Sequence, residues 1–321
     1  MNGPVTLIPQ TTLQRVRQNT QQKISSLFSG RAFILGLPWF WLALFFVLPF
    51  LFVLKISLSE AQLAQPPYLD WIREVEDGLV TIQLNFGNYL MLFEDQLYLD
   101  ALWGSFEIAT ISTLLCLLIG YPMAYAISLS PNHWRLPLLM LIILPFWTSF
   151  LIRVYAWIGI LKGNGLLNQL LLGIGIIDTP LEILHTPTAV YIGVVYSYLP
   201  FLVLPLYATL IRLDRTLLEA AADLGARPWK QFLKITLPQS VPGILAGSML
   251  VFLPVMGEFV IPDLLGGPDT LMIGKLMWTE FFSNKDWPLA SALASVLLFV
   301  LIIPFVLMRH YEQRVAEREQ N

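Results

Sequence analysis

The chain has 321 residues, 56% hydrophobic and only 13% charged, with a formal net charge of −3 and a single cysteine. A water-soluble domain carries about 25% charged residues, so this chain has too little charge to cover an aqueous surface and reads as an integral membrane protein. The negative balance excludes a basic nucleic-acid binder. Cys116, set in an apolar run, excludes a disulfide framework and a thiolate metal site.

Residues 1–31 are polar and Gln/Thr-rich, with Arg15, Arg17, Lys23 and Arg31 and no acid. They resemble the start of a signal peptide, but the apolar run that follows is too long and lacks a small-residue cleavage site. The expectation is an uncleaved first span behind a cytoplasmic tail. A span needs about 20 apolar residues, and six stretches qualify: 32–54, 102–129, 136–161, 188–211, 241–265 and 289–308. Residues 58–100 form a long acidic loop, either a solvated segment or a vestibule that concentrates a cationic solute or docks a partner. Each span carries proline, which bends a helix and suits a bundle around a pathway.

Six spans from a cytoplasmic start put both termini inside, with 309–321 as a second cytoplasmic tail. Thirteen Lys and Arg then fall on the cytoplasmic side and five on the other, with Arg153 in or near the third span. Lys and Arg retained inside set topology, so this orientation is the expected one.

The cytoplasmic loop 212–240 carries a helical hairpin. Thr216-x-x-Glu219 fits a capping box, the Ala/Leu-rich run to Leu224 favours helix, and Gly225 fits the C′ position that ends one. A second helix is expected from Pro228 through Trp229, Phe232 and Ile235 to a stop at Pro238, with Trp229 and Phe232 as anchors to the bundle. A helix of two to three turns is marginal alone in water, so it needs something to pack on. The spacing leaves open a partner or the protein's own membrane face.

Glu219-Ala220-Ala221, three residues, Gly225, nine more, then Ile235-x-Leu237-Pro238 resembles the EAA loop of ABC importer permeases. The resemblance implies an all-α membrane fold with a six-span type I permease core over 32–308. It also implies a coupling helix in which Glu219, Ala220, Ala221, Gly225, Ile235, Leu237 and Pro238 seat on an ATPase. Ser149-Phe150-Leu151-Ile152-Arg153-Val154-Tyr155-Ala156-Trp157, Gly257-Glu258-Phe259-Val260-Ile261-Pro262-Asp263 with Leu264 to Gly267, and Asp286-Trp287-Pro288 look like the spermidine and putrescine permeases, with most likeness to the putrescine subunit. What this implies is a transport subunit of the bacterial inner membrane, not an enzyme. Its partners would be a second homologous permease, a dimer of ATP-binding subunits, an extracytoplasmic solute-binding protein and membrane lipid, and not nucleic acid. The chain itself would hold no cofactor, with ATP and Mg on the ATPase. Other ABC permeases, for iron, sulfate or opines, share the coupling loop, and a stand-alone secondary transporter is the alternative from another class.

Gly274-Lys275 lacks the glycines of a phosphate loop, and His133, His185 and His310 have no metal-ligand spacing. The expected solute pathway draws on ionisable residues within spans: Glu258, with Asp263 and Glu107 nearer the outer ends. Tyr155, Trp157 and Tyr196 add aromatic faces for an ammonium. The other reading is structural: Glu258 and Arg153 pair with each other or with backbone, and the aromatics pack or anchor. Glu258→Gln is then expected to reduce uptake without loss of assembly, and Gly225→Asp or Glu219→Lys to uncouple it.

Overall fold

The computed structural model describes residues 30–75, 79–268 and 270–320. Most of the expected N-terminal tail, and Glu76 and Asp77 of the acidic loop, lie outside these residues. Two compact units divide the chain, Met1–Lys55 and Ile56–Asn321. Among the described residues, six helical stretches are long and apolar enough to cross a membrane: Ile34–Ser57, Gln96–Leu129, Phe150–Gly173, Pro187–Leu210, Pro228–Met256 and Trp287–His310.

The first unit is helical: α1 (Gly30–Leu42), a π turn (Ala43–Val47), then most of α2 (Leu48–Ser57). Trp39, Phe46 and Phe52 are among its many exposed apolar side chains. A helix apolar all round belongs in lipid or against other spans.

The second unit opens with the acidic loop, which is ordered by local pairing. Strands β1 (Ile72–Val75) and β2 (Leu79–Ile82) form an antiparallel hairpin, while the described residues are otherwise mainly helical. Helix α3 (Gly87–Glu94) follows, and the Asn88 side chain donates to the carbonyls of Ser57 and Ser59, both at 2.9 Å. The core is built from α4 (Gln96–Leu129), α8 (Pro187–Leu210) and α11 (Leu237–Met256). Between α4 and α8 lie α5 (Asn132–Ile143), a 3₁₀ turn (Leu144–Trp147), α6 (Phe150–Leu161) and α7 (Leu166–Gly173). After α8 come α9 (Arg215–Asp223) and α10 (Pro228–Gln231). Short α12 (Val260–Leu265) and α13 (Ile273–Trp278) precede α14 (Trp287–Gln320), which continues through the segment expected as a C-terminal tail.

Two expected spans are not continuous. The third breaks at Thr148, which is extended (ψ 155°) after the 3₁₀ turn, so 136–161 is two half-helices. The fifth ends at Met256, and Gly257, Glu258 and Phe259 separate it from α12. Pro254 and Pro262 flank this second break, where missing amides weaken the helical ladder. Pro238, expected to close the second hairpin helix, does not. A π turn at Phe232–Thr236 widens the backbone just ahead of it, and the helix runs on. Pro49 follows the π turn of the first unit in the same way.

Close helix contact comes from small residues. Gly243 and Gly247 form a Gly-x-x-x-Gly pair on α11 that faces the α8 backbone. A Cβ on Gly247 would lie 2.9 Å from the Leu202 carbonyl oxygen and 3.1 Å from its Cα. Backbone cannot yield as a side-chain tip can, so Gly247→Val is expected to destabilise the core by about 1–3 kcal/mol. The check is the melting midpoint of the detergent-purified protein, with exposed Gly36→Val, which meets nothing within 4 Å, as the neutral control.

Candidate functional site

The two breaks meet at one cavity of about 490 Å³. Phe146, Phe150 and Arg153 line it from the first break, Glu258, Phe259 and Val260 from the second, and Ser197, Tyr198 and Phe201 from α8 between them. Tyr198 lies midway along a 24-residue helix. Such a helix is about 36 Å long and crosses a hydrocarbon layer of about 30 Å, so the cavity sits near mid-membrane.

Each break carries a buried charge that satisfies its own backbone. Glu258 is 8% exposed. Its Oε1 accepts from the amides of Val260 at 3.0 Å and Ile261 at 3.4 Å, at the N-terminus of α12, and its Oε2 accepts from the Tyr198 hydroxyl. Arg153 is 9% exposed and donates from Nη1 at 3.3 Å to the carbonyl of Pro145 in the 3₁₀ turn, which also accepts from the Thr148 amide and hydroxyl. Its guanidinium lies 4.5 Å over the Phe146 ring and 5.8 Å from the Phe150 ring, while Nε has no partner. Anions suit helix N-termini, so Glu258 fits its position at the start of α12. Among the described residues no ion pair joins the two.

The second break is held from behind. Gly274 packs so closely that a Cβ there would lie 2.4 Å from the Gly257 carbonyl oxygen and 2.5 Å from that of Glu258. The Ile273 amide donates to buried Ser105 of α4 at 2.8 Å. From the cavity wall, rings run outward in a chain. Phe259 stacks on Trp278 at 4.4 Å, Trp278 meets Phe282 at 4.1 Å, and Phe282 meets Phe281 at 4.9 Å. Phe281 stacks on Trp287 at 4.9 Å, and Trp287 reaches Tyr68 of the acidic loop at 6.4 Å.

Of the residues expected along the pathway, only Glu258 lines this cavity. It lies in the break rather than within a continuous span. Asp263 is exposed on α12 and pairs with Lys275 at 3.4 Å. Glu107 is exposed on α4. Trp157 and Tyr196 pack edge to face at 5.3 Å, and Tyr155 is exposed. Phe146, Phe201 and Phe259 line the cavity without any sequence signal, since in an apolar span nothing separates a phenylalanine of a cavity wall from one in contact with lipid.

The loop helix is a second candidate site. The structure replaces the expected capping box: the cap is Asp214, whose side chain accepts from the Thr216 amide at 2.9 Å, so α9 starts before Thr216. At the other end Gly225 has φ +78° and donates to the Ala222 carbonyl at 2.8 Å, while Ala226 donates to that of Ala221 at 2.9 Å. These two bonds are a Schellman ending. No residue of α9 is buried; Glu219 and Ala220 are exposed, Ala221 is half-buried, and Leu217 and Leu224 are exposed apolar residues. Phe232 anchors the loop as expected, edge to face with Tyr121 at 5.6 Å and Tyr125 at 5.7 Å on α4. Trp229 does not anchor it and is exposed. Arg215 supplies another link, donating to the Ser128 carbonyl at the end of α4 at 3.2 Å. Arg135 donates to the same oxygen at 3.2 Å.

The Thr216 amide holds the Asp214 carboxyl below its ordinary value. A lowered native pKa stabilises the helix above the unfolded pKa, and that contribution is lost as pH falls through the native pKa. The cap is therefore fully charged at neutral pH. Asp214→Ala is expected to speed amide hydrogen exchange at residues 215–217, and Asp214→Asn, which keeps an acceptor, to change it less. Hydrogen-exchange mass spectrometry of the purified protein reads this directly.

Known proteins extend the picture. The family described as "Binding-protein-dependent transport system inner membrane component" matches residues 27–317. The "Spermidine/putrescine transport system permease protein PotB" of Escherichia coli (strain K12) is 41% identical over 261 residues, covering 81% of this chain and 90% of that protein. The protein of the same name from Haemophilus influenzae is 39% identical and covers 87% of this chain and 94% of that protein. These relatives are transport permease subunits, not enzymes. Among solved structures, a bacterial alginate ABC transporter in complex with an alginate pentasaccharide-bound periplasmic protein aligns over 92% of this chain and 97% of its own, with TM-score 0.68 and 17% identity. That likeness establishes the fold.

Proposed function

Because the chain belongs to the family of binding-protein-dependent inner-membrane transport components, we propose that it is a transmembrane subunit of an ATP-driven polyamine importer, with putrescine as first cargo and spermidine as second. The observation that carries the cargo is buried Glu258 in an aromatic-walled cavity where two helices break. Irregular backbone at membrane depth is tolerated where it lines a cavity, and transporters bind solute at such places. A carboxylate replaces part of an ammonium's hydration, and phenylalanine faces attract the same cation. The ring chain from Phe259 to Tyr68 offers cation–π contact along the way in, starting beside the acidic loop that would concentrate a polycation. The names of the relatives, spermidine/putrescine permeases, support a polyamine as cargo.

The excess of Lys and Arg on one side of the spans supports both termini and the 212–240 loop on the cytoplasmic side. There α9 would seat on one subunit of an ATPase dimer, covering Leu217 and Leu224. Its movement would reach α4 through Arg215 on the Ser128 carbonyl and through Phe232 between Tyr121 and Tyr125. ATP and Mg belong on that partner. A second homologous permease completes the pathway, and a solute-binding protein delivers cargo from the other side.

The test is reconstitution of the full complex in liposomes with ATP on the ATPase side. Labelled putrescine, and more weakly spermidine, is expected to accumulate only with ATP and binding protein. Accumulation without an ATPase would make this a stand-alone carrier. ATP-driven import of another solute with no polyamine uptake would reject the cargo.

A further inference from the structure

Arg153 and Glu258 carry opposite charge in one cavity, yet each is bound to its own helix break and neither touches the other. We propose that Arg153 is a tethered counter-cation: it balances Glu258 in the empty pathway and competes there with the substrate's ammonium, so that inorganic cations do not fill the site. The inference rests on the polyamine reading above.

Three observations carry it. Arg153 lines the cavity, is 9% exposed, and has a buried Nε with no acceptor, so part of its hydrogen-bonding capacity is unspent. Its guanidinium is held by a single carbonyl bond and by ring faces, which let a cation shift position more readily than a bidentate carboxylate pair does. Glu258 takes its hydrogen bonds at the cavity wall from amide and hydroxyl donors only, so no cation is bonded to it directly. A carboxylate at this depth without a nearby positive charge would recruit one from solution. A guanidinium in the same cavity supplies that charge from within, and its tether to the Pro145 carbonyl keeps it beside the site, where an incoming ammonium has to compete with it.

The experiment uses the complete reconstituted complex and the variants Arg153→Gln, Arg153→Lys and Arg153→Gln/Glu258→Gln. Putrescine uptake is measured with K⁺, or with a bulky organic cation, as the main salt cation at equal ionic strength. For the wild type, and for Arg153→Lys at whatever rate it imports, uptake is expected not to depend on the salt. Arg153→Gln is expected to lose about fivefold or more of its uptake in K⁺ relative to the organic salt, and the double variant to lose that difference. A residue that only props up the Pro145 carbonyl would lower uptake equally in both salts whether or not Glu258 is present, and that result overturns the proposal. If Arg153→Gln does not assemble, assembly of the double variant supports the proposal and its equal failure overturns it. Failure of the wild-type complex to import any polyamine would reject the cargo instead, a separate outcome.

Discussion

A complex carrying Gly225→Val is expected to insert in the membrane and to import polyamine about 5–30-fold more slowly than the wild type. The reason is conformational rather than steric. Gly225 has φ +78° with nothing within 4 Å of where a Cβ would be, so a side chain meets no neighbour and only the backbone objects. A left-handed conformation costs a non-glycine residue roughly 1–2 kcal/mol, which is about that factor in the population of the correctly ended helix. The Schellman bonds from Gly225 and Ala226 fix where α9 stops and thus where Leu224, 89% exposed, projects. The cost depends on residue type, which makes the test sharp. Asparagine and aspartate tolerate the left-handed region better than β-branched residues do, so uptake is expected to fall in the order Asn, Asp, Ala, Val. Equal loss in all four would mean the space is filled by a partner at contact distance, and no loss in any would remove the loop from coupling. Glu219→Lys provides an independent arm: its side chain is exposed and makes no bond that shapes α9, so lost uptake there reports on the partner surface alone.

How far the sequence carries this fold can be judged from particular residues. Span number was legible because hydrocarbon thickness sets helix length, and the Gly225 ending was legible because only glycine enters that conformation freely. The cap was misassigned by two residues since Asp214 and Thr216 are both good N-cap types, and only backbone geometry chooses between them. The breaks at Thr148 and Gly257 lie inside stretches whose average hydropathy reads as one span, even though polar Thr148-Ser149 and Glu258 stand at them. Proline alone does not mark such breaks, because Pro122, Pro200 and Pro205 sit inside continuous helices. The Gly243–Gly247 spacing is plain in the sequence, but its meaning lies in the α8 backbone opposite. Cavity walls were the least legible part. Phe146, Phe201 and Phe259 owe their place to the way three elements converge, and that is tertiary information.

Glu258→Gln is expected to reduce polyamine uptake about ten- to a hundredfold, the equivalent of the roughly 1.5–3 kcal/mol that a hydrogen bond to a charged group is worth. The permease should still assemble with its partners. The substitution keeps the shape and one carbonyl oxygen, which can go on accepting from the Val260 and Ile261 amides at the start of α12. The Tyr198 hydroxyl, a donor to the carboxylate, can turn to accept from the new amide. Only the charge is lost. Glu258→Ala removes the charge and the cap together, so it separates the two roles this residue holds. If Glu258 serves the backbone alone, Gln should import at the wild-type rate while Ala fails to assemble. If it meets the substrate, Gln should assemble and fail to import, with putrescine, the shorter dication, losing more than spermidine, which has a third ammonium to place elsewhere. A glutamine variant that imports both at full rate would remove Glu258 from the pathway and leave the outer pair, Asp263 with Lys275, as the nearest remaining charges on α12 and α13.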